Sequence, residues 1–130
     1  MGIFDIFKSR PSAPRAVSQY QVTVDSEGFT IAGASYRQAA FKQFAKSIGA
    51  SRDYRYSVKV FLIPERDNQA DPDAIAVYSP QMQHLGYVPA DLTPKFHAMA
   101  PKTRGKQVWR MEVDAQLYFW KNLWLLNIFA

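Results

Sequence analysis

The chain contains no cysteine and only two histidines, His84 and His97. Without cysteine there are no disulfides, no thiolate metal sites and no thiol nucleophile. That composition is compatible with a reducing cytoplasm, the location expected here. Neither histidine has a carboxylate or a second histidine at ligand spacing, and both read as surface or packing residues. Also missing are a glycine-rich phosphate loop, a nucleophile elbow and a zinc pattern. No nucleophile is nominated and no cofactor or metal is called for, so the expectation is a protein without catalytic activity. The C-terminal apolar run, LWLLNIFA from Leu123, is too short to cross a bilayer, and no membrane partner is expected. The N-terminal MGIFDIFKSRPSAPR has neither a basic leader nor a cleavable apolar core, so it does not read as a secretory signal.

What is present fits one folded domain. The chain has 130 residues, long enough to bury a single core without crosslinks, and its 48% hydrophobic and 15% aromatic content argues against a disordered tail. A net charge of +5 favours polyanionic partners without demanding them. Residues 1–17 read as a helical stub and flexible linker, with Ile3, Phe4, Ile6 and Phe7 on one side before Pro11 and Pro14. Residues 18–130 read as the domain proper.

Hydrophobic periodicity divides that domain into strands and two short helices. QVTVD and FTIAG alternate on either side of Ser26-Glu27-Gly28, which predicts two short strands. In YRQAAFKQFAKSIG the period changes, placing Ala40, Phe41, Phe44, Ala45 and Ile48 on one helix face, with Gly49 as the C-cap. DYRYSVKVFLIPE returns to period two, with Tyr54, Tyr56, Val58, Val60 and Leu62 on one side and Pro64 as the stop. AIAVYS and HLGYV read as further strands, ADLTPKFHAMA as a short helix, and QVWRMEVDAQLYFW and LWLLNIFA as strands joined at Lys121-Asn122. The last is expected to be buried on both sides. The fold class is thus all-β with two short helices: a small OB-like or SH3-like β-barrel of about six or seven strands.

The segment RDNQADPDAIAVY (Arg66–Tyr78) crowds Asp67, Asn68, Asp71 and Asp73 around a proline just before an apolar strand. It is not an EF-hand loop, because Pro72 and Tyr78 stand where the sixth-position Gly and the twelfth-position Glu belong. Asn and Asp also cap loops by accepting from main-chain N–H groups; Asn68 reads first as such a cap, Asp71 as cap or ligand contact alike, and Asp73 can cap in the same way. The densest basic stretch, PKTRGKQVWR, carries Lys102, Arg104, Lys106 and Arg110 without an acidic interruption. A solvated turn is its ordinary meaning; beside a strand-binding groove it would serve as a phosphate rail.

Three stretches taken together resemble the HIRAN domain: IAGASYR (Ile31–Arg37), VFLIPERDNQADPDAIAVY (Val60–Tyr78) and LGYVPADLTPKF (Leu85–Phe96). The shared pattern is carried by Asn68, Asp71, Ala74, Ile75 and Val77, then Leu85, Gly86, Tyr87, Val88 and Pro89, in that order. The resemblance implies an OB-like barrel that binds single-stranded DNA, notably its free 3′ end, as in helicases that remodel replication forks. It implies that Asp71 contacts the terminal sugar hydroxyl, that Tyr36 stacks on a base, and that nearby basic residues hold phosphates. On that basis the expected nucleic-acid-binding residues are Tyr36, Arg37, Asn68, Asp71, Lys95, Lys102, Arg104, Lys106 and Arg110. Three positions depart from the pattern. Ala70 replaces a second stacking aromatic, Ser35 a basic residue, and Pro89 or Ala90 a lysine for which Lys95 is the nearest substitute.

A helicase or nuclease partner is implied in trans, since ATPase motifs are missing. Two other classes are carried alongside. One is a protein-interaction module or homodimer formed through the apolar termini, Ile3/Phe4/Phe7 and Leu123–Phe129. The other is an Mg²⁺-dependent hydrolase using Asp67, Asp71 and Asp73.

Overall fold

The structure, a computed structural model, describes residues 28–100 and 108–130. The predicted strand at QVTVD, the apolar stub at Ile3–Phe7 and the basic residues Lys102, Arg104 and Lys106 lie outside them. Six strands form one antiparallel sheet: β1 (Phe29–Thr30), β2 (Tyr56–Pro64), β3 (Ile75–Tyr78), β4 (His84–Tyr87), β5 (Met111–Trp120) and β6 (Leu123–Phe129). Their spatial order is β1-β6-β5-β2-β3-β4. The helices are α1 (Gln38–Ser47) and α2 (Thr93–Met99), each preceded by a short 3₁₀ turn, at Ala34–Tyr36 and Ala90–Leu92. The expectation of a mostly β, OB-like barrel with two short helices holds.

Alternation in sequence dictates the inner face. Val60 and Leu62 of β2, Val113, Ala115 and Leu117 of β5, and Trp124, Leu126 and Ile128 of β6 are all buried. Their neighbours Lys59, Glu112 and Asp114 point outward and pair loosely, Lys59 lying 3.7 Å from Asp114 and 4.0 Å from Glu112. In β6 the outward residues Leu123, Leu125 and Phe129 are half-buried, so the strand buries one face fully and not two. That corrects the sequence reading. The C-terminal run contributes Trp124, Leu126 and Ile128 to the core, where they are unavailable to a second copy. Lys121 and Asn122 join β5 to β6 with φ values of 51° and 69°, the two positive angles of a type I′ hairpin turn.

The helices plug the barrel from its two ends. Phe41, Phe44 and Ala45 on one face of α1 enter the core, as the helical period predicts. Gln38 fastens that helix to the start of β6. Its Nε2 donates to the Trp124 carbonyl at 2.9 Å and its Oε1 accepts from the Trp124 N–H at 2.8 Å. The helix closes with Gly49 N–H on the Lys46 carbonyl and Ala50 N–H on the Ala45 carbonyl, the paired bonds of a Schellman cap. At the other end, Phe96 of α2 is fully buried and meets Phe29 edge to face at 5.8 Å. Truncating Phe41, Phe44 or Phe96 to Ala would cost on the order of 3–5 kcal/mol.

The sheet curls until its edges meet. Leaving β1, Ile31 still donates to the Leu126 carbonyl of β6 at 3.1 Å. One residue later Ala32 changes partner, giving its N–H to the Tyr87 carbonyl at 2.7 Å and accepting the Tyr87 N–H at 2.9 Å. This isolated antiparallel bridge joins the chain after β1 to β4. Among the described residues it leaves no long free edge on which another strand could pair.

Gly86 makes this closure possible. A Cβ on it would lie 2.5 Å from the Ala32 carbonyl oxygen and 3.0 Å from the Ile31 side chain, and its φ of 155° is one that L side chains rarely adopt. Gly86 is therefore a place of close backbone approach. Gly33 differs: a Cβ there meets nothing within 4 Å, and its φ of 78° shows that it serves a left-handed turn, not close packing. Gly86→Ala is expected to lose about 2 kcal/mol or more, seen as a lower urea midpoint at unchanged slope. An unchanged midpoint would show that the bridge does not hold the barrel closed.

Candidate nucleic-acid interface

The acidic loop runs from Glu65 to Ala74, between β2 and β3, and is closed at its neck by the Glu65 N–H on the Ala74 carbonyl at 2.8 Å. Asn68 builds its interior. The Asn68 Oδ1 accepts from the N–H groups of Ala70 (3.0 Å) and Asp71 (3.1 Å), while its Nδ2 donates to Glu65 Oε1 at 3.1 Å. Those three bonds make Asn68 a scaffold residue, the loop-capping role its side chain is suited to. Asp71 follows in an exposed position. Its Oδ1 accepts from the Asp73 N–H at 3.1 Å, and Oδ2 has no hydrogen-bond partner among the described residues. One oxygen fixes the carboxylate and the other faces solvent.

A second wall comes from the turn after the closing bridge. Gly33 in its left-handed conformation redirects the chain into the 3₁₀ turn, with Tyr36 N–H on the Gly33 carbonyl (3.1 Å) and Arg37 N–H on the Ala34 carbonyl (3.0 Å). Ala34 is buried and anchors the turn, which leaves Tyr36 standing outward with its side chain 90% exposed. Tyr36 thus precedes α1 and does not begin it, and none of its ring is committed to the core.

Side chains on β4 link the two walls. The Arg37 guanidinium lies 6.0 Å from the centre of the Tyr87 ring. Burial, and then the Glu65 carboxylate beside its hydroxyl, push the Tyr87 phenol above its ordinary value. Glu65 in turn holds Asn68, and Asn68 holds the Asp71 N–H. The relay Arg37–Tyr87–Glu65–Asn68–Asp71 therefore ties the Tyr36 turn to the acidic loop.

Alongside it, His84 faces Tyr78 in a stack at 4.9 Å and meets Tyr87 edge-on, also at 4.9 Å. Its Nε2 is 3.0 Å from the Gly86 carbonyl, which calls for the tautomer that donates from that nitrogen. Burial, and then the neighbouring Arg37 charge, lower the His84 pKa, against a smaller pull upward from Gly86 and Glu65.

The remaining sequence-predicted residues divide. Arg110 is exposed and lies 4.5 Å over the Phe61 ring, and Phe61 pairs across to Tyr78. Arg110 thus borders the same outer face, with Phe61, Tyr78 and His84 between it and Tyr87. Lys95 does not join the loop, because its Nζ donates to the Ala130 carbonyl at 2.7 Å at the far end of β6. The residue of α2 that does reach the loop is His97, whose Nε2 lies 3.0 Å from the Asp73 carbonyl. Among the described residues no three His, Asp or Glu side chains converge as a metal site requires. Sequence reasoning missed Glu65, Tyr78, His84 and Tyr87. Tyr87 was present in the Leu-Gly-Tyr-Val-Pro motif, and Glu65 had only its position after Pro64 to mark it.

A curled antiparallel barrel with a polar loop between β2 and β3, linked through β4 to the turn that carries an exposed ring, defines a small β-barrel binding domain. The chain belongs to the HIRAN domain family, whose model matches residues 24–111, more than half its length. Membership makes it a nucleic-acid-binding domain, DNA being the implied ligand. Comparison with curated proteins and with solved structures yields no match. No helix among the described residues is long and apolar enough to cross a membrane.

The lowered His84 pKa makes stability depend on pH. The unfolded chain takes up this proton near the ordinary value of 6.5, before the folded protein does. The contribution is therefore neutral above about pH 6.5 and destabilising as the pH falls below it, levelling off once the folded form also protonates. Thermal unfolding followed from about pH 7.5 to 5 should show this loss. His84→Gln should flatten that part of the curve, and an unaltered curve would remove His84 as its source.

Proposed function

We propose that this HIRAN domain binds single-stranded DNA and recognises a free 3′ end. Tyr36 stacks on the last base, the solvent-facing Oδ2 of Asp71 accepts from the 3′-hydroxyl, and Arg37 offsets a phosphate. Asn68 acts from behind by fixing the loop, and Arg110 adds positive charge on the same outer face; Lys102, Arg104 and Lys106 contribute through their charge. Lys95 is at most a distant phosphate contact. The domain works in the cytoplasm and assists a helicase or nuclease supplied in trans.

The observation that carries this reading is the exposed Asp71 carboxylate with one oxygen held and one open, tied by the relay to a ring that is 90% exposed. A carboxylate accepts from a hydroxyl but repels a phosphate. At about 4 Å that repulsion is worth roughly 1 kcal/mol in water and about 4 kcal/mol near a protein surface, so a phosphorylated or continuing strand is disfavoured. Stacking on Tyr36 adds about 1–3 kcal/mol and is indifferent to sequence.

Fluorescence anisotropy with short oligonucleotides tests the reading. A 3′-hydroxyl ligand should bind about tenfold or more tightly than its 3′-phosphate counterpart. Asp71→Asn should reduce that preference to near unity, and Tyr36→Ala should weaken both ligands by about tenfold. Equal affinity of the unaltered protein for the two ends would remove end recognition.

A further inference from the structure

The end of the barrel away from the acidic loop carries a second group of rings and cations. It combines the tip of the β5–β6 hairpin with the segment Ser51–Arg55 that leads into β2. Of the three tryptophans, Trp109 and Trp124 are 6% and 5% exposed, whereas Trp120 is 57% exposed. Tyr54 nearby in sequence to β2 is 67% exposed, although alternation in DYRYSV had suggested a core position. The reason is local. Ser51 Oγ accepts the Asp53 N–H at 3.0 Å and the Tyr56 hydroxyl accepts the Ser51 N–H at 2.7 Å. The segment is therefore a turn, and β2 begins only at Tyr56.

Each cation of this region rests on a ring. Arg52 lies 4.7 Å from the Phe119 ring centre, Arg55 4.2 Å from Tyr118, and the Lys121 Nζ 5.7 Å from Trp120. Arg55 also donates to Gln116 Oε1 at 2.9 Å. None of the three makes an ion pair among the described residues, and the one acidic side chain in these two segments, Asp53, is engaged with the Ser51 hydroxyl. Cations set on rings and without an ion pair among the described residues, with the Trp120 and Tyr54 rings open to solvent, complement a ligand that carries flat bases and a negative backbone.

We propose that this hairpin tip is a second single-stranded DNA contact, with bases stacking on Trp120 and Tyr54 and phosphates held by Arg52, Arg55 and Lys121. It rests on the reading of the acidic loop as the 3′-end site, and it adds a length requirement. β5 starts at Met111, paired with Leu62 near the loop's neck, and ends at Trp120. Its ten residues span about 30 Å at ~3.3 Å per residue. A stacked strand covers that distance in roughly nine nucleotides at ~3.4 Å each. Shorter oligonucleotides reach the end site alone, and longer ones reach both.

Oligo(dT) of five and twenty nucleotides, each with a 3′-hydroxyl, separates the two sites. The twenty-mer should bind more tightly and quench tryptophan emission, because Trp120 is the exposed indole, while the five-mer should not quench. The double variant Trp120→Ala/Tyr54→Ala should lose about tenfold or more in affinity for the twenty-mer and retain five-mer affinity, which also shows that it folds. Replacing Arg52, Arg55 and Lys121 by Ser should reduce the twenty-mer's log–log salt slope by about 2, at ~0.7 per phosphate. Unchanged twenty-mer affinity in the double variant overturns this inference and leaves the end site standing. Failure of the unaltered protein to bind either oligonucleotide overturns both.

Discussion

One pair of hydrogen bonds governs this molecule, the exchange between the main chains of Ala32 and Tyr87. Until it forms, the sheet has two free edges, at β1 and at β4. Once it forms, the sheet is a barrel and the 3₁₀ turn that follows Ala32 is brought against β4. The approach is so close that position 86 tolerates only a hydrogen for a side chain. Architecture and binding surface are therefore one event, because Tyr87 closes the barrel with its backbone and joins the two walls of the site with its ring.

The charges of the site are arranged with the same economy. A single acid, Glu65, holds Asn68 on one side and faces the Tyr87 hydroxyl on the other, and Arg37 sits over the same ring. Glu65 is thus inside the scaffold, whereas Asp71 is exposed, as Asp67 and Asp73 are. The distinction follows from position. Glu65 directly follows β2 and is half-buried, while Asp71 is exposed in the loop with one oxygen tied to the Asp73 N–H.

Local features were legible in the sequence. Phe41, Phe44 and Ala45 repeat with helical spacing, Val60 and Leu62 alternate, Lys121-Asn122 separates two apolar runs, and the order of Asn68, Asp71, Gly86 and Tyr87 marks the family. Each depends on residues close together along the chain or on a motif. The closing bridge was not legible, because it joins two distant segments through main-chain atoms that no side-chain pattern advertises. Nor was the engagement of Lys95 by the Ala130 carbonyl, which only the meeting of α2 with the end of β6 reveals. Tyr54 misled because alternation continued past the point where the Ser51 hydroxyl turns the backbone.

The strand order also bears on how the protein is made. Among the described residues β1 has one strand partner, β6, with Phe29 opposite Ile128. During synthesis β1 cannot pair with β6 until nearly the whole described chain has left the ribosome. Pairings between such distant segments must overcome a large chain-closure entropy before they are rewarded, which slows the final step. A nascent chain can make α1 and the β2–β3 hairpin early, but the circle that carries the binding surface is completed only by its last strand.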